Sequence, residues 1–521
     1  MNAKKKPHQP KSLVEKIKHK EKILFAIILI IAFSLRASGI SIGLPNLLNP
    51  EEVSILNNIF YSPIFGNCFI ANLLSASPEK LFIFLRNTGL IFGIASLIVF
   101  YLIGRSFNVF CALFSCLLLS ISFIHVRFSQ TFLFYIILLF FSLLSCYLTI
   151  QAYEKKSQKA LIAATVFASI STLINYTGIA NFVSILITAS INKSLNKILR
   201  LFFVTVLILS AFYMFQLPFT LKNILENFTS GYRDYQASSL LLCLNIIIGS
   251  IGPIAIFSAL MLPWFKNNFD KTKLKIIYSI PLIYLGLIVT GHFTKQGYIL
   301  LLVPFICLAA SLVIYLFFNY LFGEKHALES DNKQIALKYF FIVILLLTTW
   351  IPLKYTFRYK KLISLADTRV LATEWVKENT TREFKIAHDK NSIQLNWFDV
   401  LDKKFVKDLN LEPDTLDGPQ IFNLTQDLLK KKNWHKILKK KVDYVIINSF
   451  DYEEVLRKKE QSPMNKFYRK FLISKPIIVF NPYYKDYERR IRKMPFEDLY
   501  FPMLTLWERE RCGPVIKIYK L

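Results

Sequence analysis

The sequence predicts a polytopic α-helical membrane protein with a C-terminal α/β domain on the outer face. Three observations carry this reading. Hydrophobic residues make up 54% of the 521, with 47 Phe among them and a mean hydropathy of +0.40. Apolar runs of about 17–25 residues, the length that crosses a hydrocarbon core, recur through the first two thirds of the chain. Beyond about residue 355 the composition turns to short β-rich runs between charged helical stretches.

The tail at 1–22 holds Lys4, Lys5, Lys6, Lys11, Lys16, Lys18, Lys20 and Lys22, which favour the cytoplasm. The first apolar run has no small-residue cleavage site and more spans follow it, so it reads as retained and not as a signal peptide. Spans are expected at 23–41, 84–104, 109–124, 131–152, 160–175, 177–191, 200–216, 239–262, 276–291, 298–319 and 338–354. That is about eleven crossings, with the N-terminus inside and the C-terminus outside. The loops assigned inside are basic: "YEKKSQK" at 153–159, "INKSLNK" at 191–197 and "FKNNFDKTKLK" at 265–275. Two spans are assigned to 160–191, because an even hairpin keeps the later basic loops cytoplasmic. The multi-span domain thus covers 23–354 and the outer domain 355–521. In the outer domain, "TRVLATEWVKEN" has helical spacing behind Asp367, a capping residue, while "EFKIAH", "VDYVIINS", "KPIIVFN" and "PVIKIYKL" read as strands.

The net charge of +29 fits positive-inside topology. Its basic residues alternate with spans and form no single stripe, which argues against nucleic acid as a partner. The seven Cys lack CxxC spacing and fall mostly in apolar runs, as small core residues do. No Gly-rich phosphate cradle, HExxH or serine elbow is present, so a soluble nucleotide donor and metallohydrolase chemistry find no support.

Acids are scarce in the outer loops, yet "LPNLLNPEEVSIL" places Glu51 and Glu52 side by side after Pro50, just past the first span. An isolated loop carboxylate is most often a solvated charge. An adjacent pair at a span mouth suits proton acceptance by one member and orientation by the other. The same face gathers Arg86 in "FLRNTG", His125 and Arg127 in "FIHVRFSQ", and Lys295 in "HFTKQGY". Singly these read as interfacial anchors. Together they suit a phosphate, which Arg binds through its planar fork and Lys as a point charge.

The order of these motifs resembles the GT-C superfamily of glycosyltransferases that use lipid-phosphate-linked sugars. It is most similar to the family of the protein O-mannosyltransferases and the lipid A aminoarabinose transferase (glycosyltransferase family 39). "NPEE" stands where that family reads Pro-Asp-Glu. "RNTGLIFGIASLIVFYLIGRSF" resembles its second span. "SISFIHVRFSQTFLFYIILLFF" resembles its "SRxARPY" stretch, with His125, Arg127, Ser129 and Tyr135 on the pattern. "LINYTGIANF" and "KQGYILLLVPFICLAA" match later stretches, with Tyr298 and Pro304 in register. Two positions depart: Glu51 replaces the usual Asp, and Gln296-Gly297 replace the Arg before Tyr298.

The resemblance implies inverting transfer of a sugar from a polyprenyl-phosphate carrier to an acceptor hydroxyl on the outer face. Glu51 would be the base and Glu52 its partner, with Arg86, Arg127 and Lys295 on the donor phosphate. His125, Tyr135 and Tyr298 would line the donor and acceptor pocket. The leaving phosphate needs no general acid. No cofactor is implied, and a divalent metal is not indicated. The partners are the lipid-linked sugar, a lipid, glycan or protein acceptor, and membrane lipids. A bacterial inner membrane is the expected location. Two other readings stay open: a lipid-linked-saccharide transporter, and a membrane protein with an outer interaction domain only. Against a transporter, the sequence shows no matching Gly/Pro-broken spans in two halves.

Overall fold

The computed structural model describes residues 20–41, 43–44, 52, 78–192, 236–289, 296–322, 331–381, 383–389, 392–395, 420–424, 442–457, 462–484, 502 and 505–521. The chain divides into two compact units, Met1–Ile40 with Leu85–Phe357, and Ser41–Phe84 with Arg358–Leu521.

The first unit is helical. Its elements are α1 (Glu21–Ala37), α2 (Pro78–Arg105), α3 (Val109–Ile121), α4 (Phe123–Ser129), α5 (Phe134–Glu154), α6 (Gln158–Ile174) and α7 (Ala180–Ile191). They continue with α8 (Gln236–Ile251), α9 (Pro253–Phe265), α10 (Lys271–Val289), α11 (Gln296–Leu300), α12 (Val303–Phe322) and α13 (Asp331–Ile363). Where a hairpin of two spans is expected, α6 and α7 are two shorter apolar helices joined by a tight turn at Tyr176–Ile179. Asn181 ties that turn to its neighbours. Its Nδ2 lies 3.1 Å from Ser142 Oγ, 3.0 Å from Ser171 Oγ and 2.9 Å from the Gly178 carbonyl. In an apolar medium such groups must find partners inside the protein.

Two of the expected spans are not single helices. The run at 109–124 bends by 66° between α3 and α4, and the run at 239–262 bends by 106° between α8 and α9. The second break has a local cause. Pro253 opens α9 and Gly252, at φ +86°, takes a conformation closed to most L-residues. Among the described residues four helices are long and apolar enough to cross a membrane, or up to six if each bent pair counts as one span. The described residues thus do not reach the expected eleven, and the span at 200–216 lies outside them. Along α13 the large apolar side chains Tyr339, Phe340, Val343, Leu346, Leu347 and Trp350 face outward, as a bilayer allows. Cys111, Cys116, Cys146, Cys307 and Cys512 are buried, in keeping with a packing role.

One end of the unit is held by charge pairs. Arg105 Nε meets Glu21 at 2.6 Å, and Tyr101 donates to the same carboxylate. Lys273 reaches Glu154 at 2.5 Å and donates to the Ser106 carbonyl at 2.9 Å. The start of α1, the end of α2, the end of α5 and the start of α10 therefore share one face.

The second unit contains α14 (Thr368–Asn379), β1 (Lys385–His388), β2 (Gln420–Asn423), β3 (Tyr444–Asn448), α15 (Ser449–Arg457), α16 (Pro463–Ile473), β4 (Ile478–Phe480) and β5 (Ile516–Lys520). Asp367 caps α14 by accepting from the Arg369 amide at 2.9 Å. The four expected strands are present, and β2 joins them. The order is β2-β1-β3-β5-β4, with β1 parallel to β2 and β3, and β5 antiparallel to β3 and β4. Alternate residues pack on opposite faces. Val445 and Ile447 meet Phe467 and Phe471 of α16, while Tyr444 and Ile446 meet Ala372 and Val376 of α14.

At the end of β1, Asp389 is fully buried. Its carboxyl accepts from the Tyr468 hydroxyl at 2.7 Å and the Asn448 amide at 2.9 Å, and burial holds its pKa well above the usual carboxyl range. Beside it, burial pushes His388 down to about 4, although its Nδ1 donates to the Asp389 carbonyl at 2.8 Å. A depressed histidine contributes stability above its unfolded pKa of about 6.5 and loses it as pH falls towards the folded value. Asp389, with its raised pKa, acts oppositely, costing stability as pH climbs above about 3.9. Replacing His388 with Asn is therefore expected to shrink the loss in urea midpoint of this unit between about pH 7 and about pH 4.5. An undiminished loss would count against the histidine as its source.

Candidate functional site

At the opposite end of the helical unit, the end of α1 meets α4 and the break before it. α3 stops at Ile121 because Ser122 is extended, with φ −61° and ψ 120°. The last carbonyls of α3 then have no helical donors. Arg36, fully buried in the last turn of α1, fills this gap. Its Nη1 donates to the Ser120 carbonyl at 3.1 Å and to its own helix at Ala32 O, 2.7 Å. Its Nη2 lies 2.7 Å from His125 Nδ1, and Nε donates to Ser129 Oγ at 3.3 Å.

A guanidinium can only donate, so His125 Nδ1 is the acceptor and the ring proton sits on Nε2. That proton points to Ser96 Oγ at 2.9 Å, and Ser96 in turn donates to the Gly93 carbonyl at 2.8 Å. A side chain at Gly93 would strike Ser129, since a Cβ there falls 2.3 Å from its hydroxyl. Gln130 closes the set by donating to the carbonyls of Leu35 and Arg36 at 3.0 and 3.1 Å. Among the described residues the hydrogen-bond acceptors of Arg36 are carbonyl, imidazole and hydroxyl groups.

Of the residues singled out from sequence, Arg86, His125, Arg127, Tyr135 and Tyr298 belong to this unit. Arg86 is buried near the start of α2 and donates to the Ile40 carbonyl at 2.8 Å. Arg127 is only 2% exposed, and its guanidinium lies 4.8 Å from the Phe128 ring centre. Tyr135 packs edge-on against Tyr298, with ring centres 5.3 Å apart, and against Phe128 at 5.4 Å. Both ring nitrogens of His125 are engaged within the protein, with Arg36 and Ser96. Glu52 is buried, 2% exposed, and belongs to the second unit. Glu51 and Lys295 lie outside the described residues.

Arg36 was open to sequence reasoning through a single signal, a charge inside the first apolar run at "SLRASG". The Gly297 departure also has a physical reason. A Cβ there would fall 2.5 Å from Tyr135 ring carbons, so the ring occupies the space a longer side chain would need.

Residues 70–219 match the family model described as dolichyl-phosphate-mannose-protein mannosyltransferase. No curated protein matches by sequence. Among solved structures, ArnT from Cupriavidus metallidurans in the apo state is similar at 10% identity and TM-score 0.51, covering 85% of this chain and 95% of that one. The same protein bound to undecaprenyl phosphate gives 11% identity, TM-score 0.50, and 84% and 94% coverage. The archaeal oligosaccharyltransferase AglB from Archaeoglobus fulgidus scores 0.47 at 12% identity, over 83% of this chain and 69% of that one. The fold is thus GT-C-like, and its apolar helices fit a membrane location. The resemblance to the GT-C superfamily rests on the matched segment together with this fold.

Replacing Gly297 with Ala is expected to displace Tyr135 and lower the thermal midpoint of the solubilised protein, as overpacking typically does by about 1–3 kcal/mol. Adding Tyr135→Ala should recover part of the loss. A midpoint unchanged by Gly297→Ala would mean the ring does not fill that space.

Proposed function

We propose that the chain is an inverting membrane glycosyltransferase that moves a sugar from a polyprenyl-phosphate carrier to an acceptor hydroxyl on the outer face. The observation that carries this reading is the match of residues 70–219 to the mannosyltransferase family, a segment that includes Arg86, Arg127 and Tyr135. The GT-C-like fold supports it, as does ArnT, a neighbour solved with undecaprenyl phosphate. Glu51 takes the acceptor proton while Glu52 orients it, and burial suits Glu52 to that second task. Arg86, Arg127 and Lys295 stabilise the departing phosphate, while Tyr135 and Tyr298 line the pocket. The face shared by Glu21, Arg105, Glu154 and Lys273 is cytoplasmic in this reading, which puts the end with Arg36 and Arg127 outside. The outer α/β domain, with boundaries at 355–521, covers or selects the acceptor.

A lipid-linked-saccharide transporter is the second reading. The bent helix pair at Gly252-Pro253 favours it, being one Gly/Pro-broken run of the kind transporters use.

One assay separates the two. The purified chain is mixed with labelled polyprenyl-phosphate sugar and candidate acceptors, and label is followed onto the acceptor. Glu51→Gln is expected to abolish transfer with membrane insertion intact, and near-normal transfer would remove Glu51 as the base. Arg127→Glu should raise the donor concentration needed for half-maximal rate, whereas an unchanged requirement would take Arg127 off the phosphate. Movement of labelled lipid across vesicles without transfer would favour the transporter.

A further inference from the structure

α4 is seven residues long, about two turns, and a helix of that length has almost no stability of its own. Its direction is therefore set by whatever grips it. The grip comes from Arg36, which holds Ser120 before the break and both His125 and Ser129 after it. His125 and Ser129 are four residues apart and share one helix face. Arg127 stands two residues from each, about 200° around the axis, on the opposite side. Fixing the first face thereby fixes where the second one lies. Gln130 adds a second hold, from just past α4 to the carbonyls at the end of α1.

We propose that Arg36 is a positioning residue for the carrier phosphate, acting through His125 and Ser129 to hold α4 so that Arg127 is presented to it; this rests on the donor-phosphate role assigned to Arg127 above. Arg36 does not itself touch the lipid. Its four hydrogen bonds engage three elements at once, and a methylene chain of similar length would satisfy none of them. Lysine keeps the charge but has no planar fork, so it reaches only part of this set of acceptors.

The test uses the full-length chain in detergent, with undecaprenyl phosphate as the probe. Arg36→Met, Arg36→Lys, Arg127→Gln and the Arg36→Met/Arg127→Gln double variant are compared with the parent in two measurements. One is the dissociation constant for undecaprenyl phosphate. The other is amide hydrogen exchange in the segment 121–131, with 158–174 as an internal control for global unfolding. Arg36→Met is expected to speed exchange in 121–131 alone and to weaken binding at least about tenfold, the order expected when a contact group is misplaced by a fraction of an ångström or more. The double variant should bind no more weakly than Arg127→Gln, because both changes remove the same contact. Arg36→Lys should fall between parent and Arg36→Met, and it carries the test if the Met variant does not fold. Parental exchange in 121–131 for both Arg36 variants overturns the proposal. So do effects on binding that multiply in the double variant. If the parent does not bind undecaprenyl phosphate, the transferase reading fails, and the exchange measurement alone decides whether Arg36 positions α4.

Discussion

The helical unit depends on one buried cation at a place where the chain stops being helical. Carbonyls freed at the end of α3 sit among buried residues away from water, and leaving one unpaired costs about 1–3 kcal/mol. Arg36 supplies the donors from a different helix. The same guanidinium settles the tautomer of His125 and so the direction of the bond to Ser96 on α2. Four helices are brought to agreement by one side chain. Among the described residues its acceptors are carbonyl, imidazole and hydroxyl dipoles, which solvate the charge.

The two ends of this unit are built on different principles. At the end with Glu21 and Glu154, opposite charges meet where water is near, and such pairs are individually weak. At the other end Arg36, Ser96, His125, Ser129 and Gln130 are buried and joined by hydrogen bonds. Preorganised donors and ordered aromatic rings belong where charge must be handled without rearrangement. The first end registers the helices by charge, and the second by buried hydrogen bonds.

Much of the architecture was legible in the sequence because apolar runs and β-rich runs have distinct periods. The strands around Ile386, Val445, Val479 and Ile518 were readable for that reason, and so was the cap at Asp367. β2 was missed because "QIFN" is only four residues long and lacks a β-branched run. The break at Gly252-Pro253 carries its signal openly, in a residue free to adopt positive φ followed by one that cannot continue a helix. The break at Ser122 carries none, since serine in an apolar run suits a helix as well as a kink. Nor could the sequence show that His125 and Arg36, 89 positions apart, would share a bond. Pairing at such separation is a tertiary fact, and residue type alone made His125 look like a surface anchor.

The order of strands in the second unit has a bearing on synthesis. β5 lies between β3 and β4, yet it is made after both. Until the ribosome has passed residue 520, β3 and β4 each expose an unpaired edge, and the two cannot be joined. The parallel trio β2-β1-β3 can assemble earlier and wait. A chain halted shortly before Ile516 would thus keep most of its core residues while offering two sticky edges to its surroundings. Joining β3 and β4 into one sheet therefore waits for the segment Ile516–Lys520.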